Sequence, residues 1–329
     1  MERSVKAKTM LITGGASLVG SHLADKLLQA GAGEVRLFDN FSLGTPETIA
    51  HLSNEPRVKM ITGDVLKPDQ IAEAAKGAAG IFALAGFLTL PMSENPVTGV
   101  AVNCSGMANT LEAARLGGAD RIVFSSSTAV YGNSNPDRMV EETPFASVGL
   151  SPASMVYSAS KLVGEGLCAL YRQKYGLEFN ALRFSTVYGE RQHLRAVNAV
   201  FLAKVYEAVR KGEAPVIPGD GSEVHDYIYV TDVADACYAA YASQSSGHAM
   251  NISTGTDISL NELVSVILEV SGAKGIKPEY RHDDRKVRSS SVSHLRNSFE
   301  AASEAIGWQP RVSLREGVKR YIDWRETRA

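Results

Sequence analysis

Short apolar runs alternate with longer amphipathic stretches through the first half of the chain. Residues 9–13 (TMLIT), 34–38 (EVRLF), 58–62 (VKMIT), 80–85 (GIFALA), 121–125 (RIVFS) and 179–184 (FNALRF) are rich in Val, Ile, Leu and Phe and bounded by turn residues or charges. That is the pattern of buried strands. Between them, residues 21–31 (SHLADKLLQAG) and 103–118 (NCSGMANTLEAARLGG) carry apolar positions at helical spacing and end on glycine, a common helix stop. The alternation predicts an α/β fold, a Rossmann-type doubly wound parallel sheet with right-handed crossovers.

Past residue 185 the rhythm loosens. Gly and Pro cluster in APVIPGDGS (214–222), followed by a strand-like DYIYV (226–230), a helix near 231–243, a strand in AMNIST (249–254) and a helical SLNELVSVILEVSG (259–272). The expected organisation is a dinucleotide-binding domain over 1–185, to which 232–254 returns. A smaller C-terminal α+β substrate domain is expected from 186–231 and 255–329.

Composition narrows the function. The chain has 329 residues, 44% of them hydrophobic and 21% charged, which is ordinary globular content. Its 34 basic and 36 acidic residues nearly cancel, so no field for nucleic acid or an anionic membrane is implied. Cys104, Cys168 and Cys237 lie far apart and form neither a metal-ligand spacing nor a disulfide framework. The apolar stretch from Met10 to Thr13 is too short for a signal-peptide core or a membrane span. A soluble, cytoplasmic protein is the expectation.

Three patches carry candidate chemistry. The first is TGGASLVG (13–20), directly after the first strand and before the first helix. In the form G-x-G-x-x-G, Gly15 and Gly20 stand at the outer glycine positions, and free backbone N–H groups there can hold a pyrophosphate. Ser17 stands where a middle glycine would let the backbone approach that pyrophosphate. Asp39, at the end of the second strand, suits adenosine ribose hydroxyls and repels a 2′-phosphate, which favours NAD over NADP. Asp64, in GDV after the third strand, is placed to face an adenine amino group.

The second patch is YSASK, with Tyr157 and Lys161 four residues apart on one helical face. A tyrosine with its ordinary pKa near ~10 is a poor base at neutral pH. A nearby ammonium and a positive nicotinamide both favour the phenolate. The third patch is FSSSTAVYG (124–132), a strand end that would border the ligand crevice and offer the Ser127 hydroxyl to the oxygen that Tyr157 deprotonates.

With DNFSLG (39–44), GDV (63–65), ENPVTGVAVNCSGMANTLEAA (94–114), SSSTAVYG (125–132), YSASK (157–161), LRFSTVYGERQ (182–192), PGDGSEVHDYIYVTDVADA (218–236) and GWQP (307–310) in this order, the chain resembles the extended short-chain dehydrogenase/reductases. Within them it resembles the NAD-dependent nucleotide-sugar epimerases and dehydratases, of the UDP-glucose/UDP-galactose 4-epimerase kind. The resemblance implies Ser127, Tyr157 and Lys161 as catalytic residues. It implies a cofactor site from Gly14, Ser17, Leu18, Val19, Gly20, Asp39, Asn40, Ser42, Gly44, Asp64, Val65, Leu84, Ala85, Gly86 and Asn103, with Tyr157 and Lys161. Its implied substrate contacts are Leu88, Ser127, Thr128, Thr186, Arg191, His225, Arg281 and Arg288. It also implies a homodimer joined through helices near 96–117 and 157–175.

Several positions depart from that pattern. Thr128 and Ala129 occupy the places where dehydratases of the family carry Asp and Glu, which argues against elimination of water. Thr186 replaces an asparagine, and His225 an arginine, that contact the substrate diphosphate in the enzymes it resembles. A permanently charged fork is not equivalent to an imidazole. Arg281, Arg285 and Arg288 offer replacements. The stretch AGFLTLP (85–91) is apolar where many members face the sugar with polar groups. Two outcomes stay open on these residues. One is NAD-dependent epimerisation of a nucleotide sugar, at C4, through a transient keto-sugar. The other is a net dehydrogenase or reductase acting on a sugar or other secondary alcohol without a diphosphate. A redox-sensing binding protein is a third reading, disfavoured by the presence of Ser127, Tyr157 and Lys161 together.

Overall fold

The computed structural model describes residues 3–192, 200–282 and 295–327. The first strands are β1 (Thr9–Thr13), β2 (Glu34–Asp39), β3 (Val58–Thr62), β4 (Gly80–Ala83), β5 (Arg121–Ser127) and β6 (Glu178–Phe184). Short strands follow as β7 (Thr186–Tyr188), β8 (Val216–Pro218), β9 (Val224–His225) and β10 (Tyr227–Tyr229), then β11 (His248–Ile252), β12 (Ile258–Ser259) and β13 (Glu279–Arg281). Seven strands form one sheet in the order β11-β6-β5-β4-β1-β2-β3, every neighbouring pair parallel. The order reverses between β1 and β4, so a crevice opens above their C-terminal ends, the usual ligand position in such sheets.

The helices are α1 (Leu18–Gln29), α2 (Pro46–Ile49), α3 (Pro68–Ala75), α4 (Thr89–Glu94), α5 (Pro96–Val100), α6 (Met107–Gly117) and α7 (Pro152–Tyr175). After them come α8 (Val200–Arg210), α9 (Val230–Ala242), α10 (Leu260–Val270), α11 (Glu300–Ile306) and α12 (Leu314–Glu326). The expected helix over 103–118 is more elaborate than its pattern suggested. A wide π turn, Ala101–Gly106, joins α5 to α6, and such turns gather at functional sites.

Strand alternation sends side chains to two apolar layers. Met10 and Ile12 face a cluster with Leu23 and Leu27 of α1 and Val233 and Tyr241 of α9. Leu11 faces the opposite layer with Ile71 of α3, Leu111 of α6 and Cys168 of α7. A third cluster joins Tyr188, Leu202, Ile217, Tyr229, Leu263 and Val318, all from the C-terminal half. Segment 232–254 does pack on the large sheet through α9 and β11. Ala302 of α11 and Trp308, from the C-terminal part of the chain, also sit in the first layer. The Trp308 indole N–H donates to the Asp232 carbonyl at 2.8 Å, which fastens that returning segment. Among the described residues, no helix is long and apolar enough to cross a membrane.

Candidate active site

The phosphate-side loop is built by close backbone approach. Gly14 has φ +70°, and a Cβ there would sit 2.9 Å from the Ala85 amide nitrogen, so the turns after β1 and β4 touch at the sheet's reversal point. At Gly20 a Cβ would lie 2.4 Å from the Gly14 carbonyl oxygen. Ser17 is the N-cap of α1: its hydroxyl accepts the Gly20 amide hydrogen at 3.1 Å. The hydroxyl's own hydrogen is not used in that bond. Asp39 is buried, and its carboxylate accepts from the Ala16 amide at 3.0 Å and the Phe41 amide at 2.8 Å. One side chain therefore ties the loop after β1 to the loop after β2.

Between these loops lies a cavity of about 530 Å³. Its walls include Gly14, Ser17, Asp39, Asn40, Ser42 and Gly44 on one side and Asp64, Val65, Leu84, Ala85 and Gly86 on the other. A larger chamber of about 1050 Å³ adjoins it, sharing Ser17, Gly44, Leu84 and Gly86 and adding Leu18, Val19, Leu88, Ser127, Tyr157 and Lys161. The absence of a side chain at Gly86 leaves room beside Lys161, since a Cβ would stand 3.4 Å from Nζ. A capped helix N-terminus, glycines at the narrowest points and an acidic side chain at the end of β2 fit an extended dinucleotide.

Asn103, in the π turn, does more than line a wall. Its Oδ1 accepts from the Phe87 amide at 2.7 Å, while Nδ2 donates to the Phe87 carbonyl at 3.1 Å and to Ser160 Oγ at 2.9 Å. It clamps the loop after β4 to α7.

The catalytic candidates meet where β5 ends against α7. Tyr157 and Lys161 are 5% and 6% exposed. Lys161 Nζ donates to the Ser125 carbonyl at 2.7 Å and lies 5.8 Å from the Tyr157 ring centre. Burial pushes the Tyr157 phenol above its ordinary pKa, and a hydrogen bond with Ser127 pulls it back in part. Burial brings Lys161 down to about 8, against the attraction of Glu165. The expected lowering of the phenol by the Lys161 ammonium is thus not what this arrangement supplies by itself. Desolvation dominates, and Ser127 is the group that opposes it.

Ser127 and Tyr157 also belong to a second chamber of about 950 Å³, with Thr128, Thr186 and His225 in its wall. His225 is buried, its Nε2 2.8 Å from Glu223 Oε1 and its ring 5.4 Å from that of Tyr227. Among the described residues lining this chamber none is Arg, Lys, Asp or Glu.

Two expected contacts lie elsewhere. Arg191 turns to Asp25 of α1 at 2.7 Å, in a half-buried polar cluster with His22, His51 and Glu190. Arg281 is exposed on β13 and pairs with Glu279 at 2.9 Å. Arg285 and Arg288 lie outside the described residues.

Two side chains that the sequence did not single out do reach the chambers. Gln192 is buried in the wall of the first, its carboxamide oxygen without a partner. Asn297 is buried in the wall of the second, its carboxamide nitrogen likewise unpartnered. Neither belongs to a spacing that advertises a site, and only tertiary placement reveals them.

Known proteins resemble this chain over nearly its whole length. The UDP-glucose 4-epimerase of Mycolicibacterium smegmatis is 34% identical over 95% of this chain and 97% of its own length. UDP-glucuronic acid decarboxylase 6 of Arabidopsis thaliana is 30% identical over 94% of this chain and 86% of its own. The crystal structure of the Thermus thermophilus UDP-glucose 4-epimerase complex with NAD superposes with a TM-score of 0.83 at 29% identity, covering 98% of this chain and 100% of that one. A family model described as the NAD dependent epimerase/dehydratase family matches residues 10–253. The chain belongs to that family.

Proposed function

We propose that the protein is an NAD-dependent nucleotide-sugar epimerase that inverts C4 of its sugar. One observation carries this reading: Ser127 and Tyr157 stand in the walls of both chambers. A secondary alcohol held there has the dinucleotide site on one side and a sugar-sized space on the other. NAD, when bound, supplies a reversible two-electron sink for the carbon bearing that alcohol. The backbone N–H groups of Leu18 and Val19, at the start of α1, would hold its pyrophosphate, Asp39 its adenosine ribose and Lys161 its nicotinamide ribose. Ser127 donates to the substrate oxygen. Tyr157 takes the hydroxyl proton as the carbonyl forms and returns it when the carbon is reduced, so no net redox partner is needed. Thr128, Thr186, His225 and Leu88 contact the sugar nucleotide.

The described wall of the second chamber holds no carboxylate to act as the acid or base of an elimination, so dehydration is not favoured. It also holds no Arg or Lys for a diphosphate. That favours, as a second reading, net oxidation or reduction of a secondary alcohol lacking a diphosphate. Incubating the protein with a panel of nucleotide sugars and free sugars separates them. Epimer formation without net NADH supports the first reading. Stoichiometric NADH, or no turnover of any nucleotide sugar, sinks it.

A homodimer belongs to the same proposal. On α7, Val156, Ala159, Val163, Gly166 and Leu170 are exposed at alternating three- and four-residue spacing, and Val97 and Val100 are exposed on α5. That spacing makes an apolar seam suited to packing against another helix, and a symmetric pair buries it.

A further inference from the structure

Three consecutive serines end β5, and each is met by a different residue on one face of α7. Ser125 offers its carbonyl to Lys161 at 2.7 Å, Ser126 donates its hydroxyl to Glu165 Oε1 at 2.5 Å, and Ser127 shares the chamber walls with Tyr157. Tyr157, Lys161 and Glu165 follow at four-residue steps, so they stack one turn apart along the helix. Two of the three have parts in the reaction above, and the third has none so far.

Glu165 is held from its far side by Arg183 of β6. Arg183 Nε donates to Oε1 at 2.9 Å and Nη2 to Oε2 at 2.7 Å, with the two side chains 10% and 13% exposed. Arg183 also donates to the Tyr131 hydroxyl at 2.9 Å and the Glu141 carbonyl at 2.8 Å. A two-pronged, largely buried pair of this kind fixes both partners in direction as well as charge. The carboxylate is consequently a fixed anion one turn from Lys161, and it grips the strand residue beside Ser127.

We propose that Glu165 is a positioning residue for the reaction, holding Lys161 in its charged form and Ser127 in register with Tyr157. The proposal rests on the roles given to Tyr157 and Lys161, and not on which sugar is bound. The titratable groups around this stripe are Tyr157, Lys161 and Cys168 on α7, Arg183 on β6, Tyr131 in the turn after β5, and Glu141. Among them and Glu165, it is Glu165 whose attraction opposes the desolvation of Lys161. An opposite charge fixed within about 4–6 Å shifts a protonation equilibrium by about one unit or more.

Glu165→Gln removes the charge but keeps an oxygen that accepts from Ser126. The pH dependence of NAD affinity, by calorimetry, and of kcat are both read. In Glu165→Gln the alkaline loss of each moves down by about one pH unit. Ser126→Ala breaks the hydrogen bond and leaves the charge, so its alkaline limb stays in place while kcat falls severalfold. If a lone Arg183 prevents Glu165→Gln from folding, the neutral pair Glu165→Gln/Arg183→Gln carries a displacement in the same direction but smaller, because the repulsion of Lys161 by Arg183 is removed with it. An unmoved limb in the folded charge variants, or an equal displacement in Ser126→Ala, overturns the proposal. Undiminished turnover in Tyr157→Phe would instead fell the epimerase reading, and the shift in NAD affinity would still be readable.

Discussion

The Ser17 hydroxyl accepts the amide hydrogen of Gly20 at 3.1 Å, so the residue that replaces the loop's middle glycine closes the first turn of α1. Its two candidate duties are separable. Ser17→Ala removes the cap and should cost about 1 kcal/mol in chemical denaturation, whereas Ser17→Gly should cost only a few tenths of that. If the hydroxyl hydrogen also reaches a phosphoryl oxygen, both variants should bind NAD about threefold to tenfold more weakly by calorimetry. Unchanged affinity in Ser17→Gly would place the hydroxyl away from the pyrophosphate.

Gly20→Ala attacks the same loop by volume alone. The added methyl would stand 2.4 Å from the Gly14 carbonyl oxygen, and backbone cannot yield as a side-chain tip can. A loss of about 1–3 kcal/mol is expected, with NAD affinity falling in step because the turn must open. Wild-type melting and affinity in this variant would show that the approach is looser than drawn.

Tyr157→Phe leaves the ring in its buried seat and removes only the proton carrier. Turnover of a nucleotide sugar should fall by about 100-fold or more, while NAD affinity stays near wild type. Calorimetry beside an epimer assay checks both halves, and parallel loss of binding and rate would mean that the ring, not the hydroxyl, was the essential part.

How much of this was legible in the sequence depends on the range of the interaction. The strands over 9–13 and 58–62 match observed elements, because apolar alternation and flanking turns are local signals. Ser127, Tyr157 and Lys161 line one chamber, and each stands in a local motif that can be read along the chain. The π turn was not legible, since one extra residue per turn barely disturbs an apolar pattern. Nor was the outward turn of Arg191, which depends on Asp25 of α1 far away in sequence. Gln192 and Asn297 escaped for the same reason: burial of a lone amide is a tertiary fact. The packing of Trp308 in the larger core is likewise a long-range contact that local patterning does not show.

Lys161 makes two opposite pH dependences. Its ammonium, brought down to about 8 by burial, is present below that pH and lost above it. Cofactor affinity and turnover should therefore decline as pH rises through about 8. Unfolded lysine titrates near ~10.4, so between the two values the unfolded chain binds the proton that the folded chain has released. Across that window the cost of burying the charge disappears, and the ligand-free fold should gain stability as pH rises. Denaturation of wild type against Lys161→Met from pH 7 to 10 checks the sign, and a gap between them that stays constant with pH would refute it.

The α7 seam predicts a dimer that one charge can split. Val163 is 46% exposed at its centre, and Val163→Glu would set like charges against each other across a symmetric interface. Light scattering should report a dimer for wild type and a monomer for the variant. A wild-type monomer at micromolar concentration would remove the interface.

The π turn over Ala101–Gly106 fixes a rotational phase. On its far side Met107, Leu111 and Ala114 are buried against the sheet, while on its near side Val97 and Val100 face outward. Asn103 sits within the turn and holds Phe87. Deleting one residue there to restore an even helix would swing everything before it by about 100°. The outward valines and the grip on the cofactor-side loop would be carried off together. A single surplus residue thus acts as the indexing pin between the outward valines of α5 and the wall that shapes the chamber.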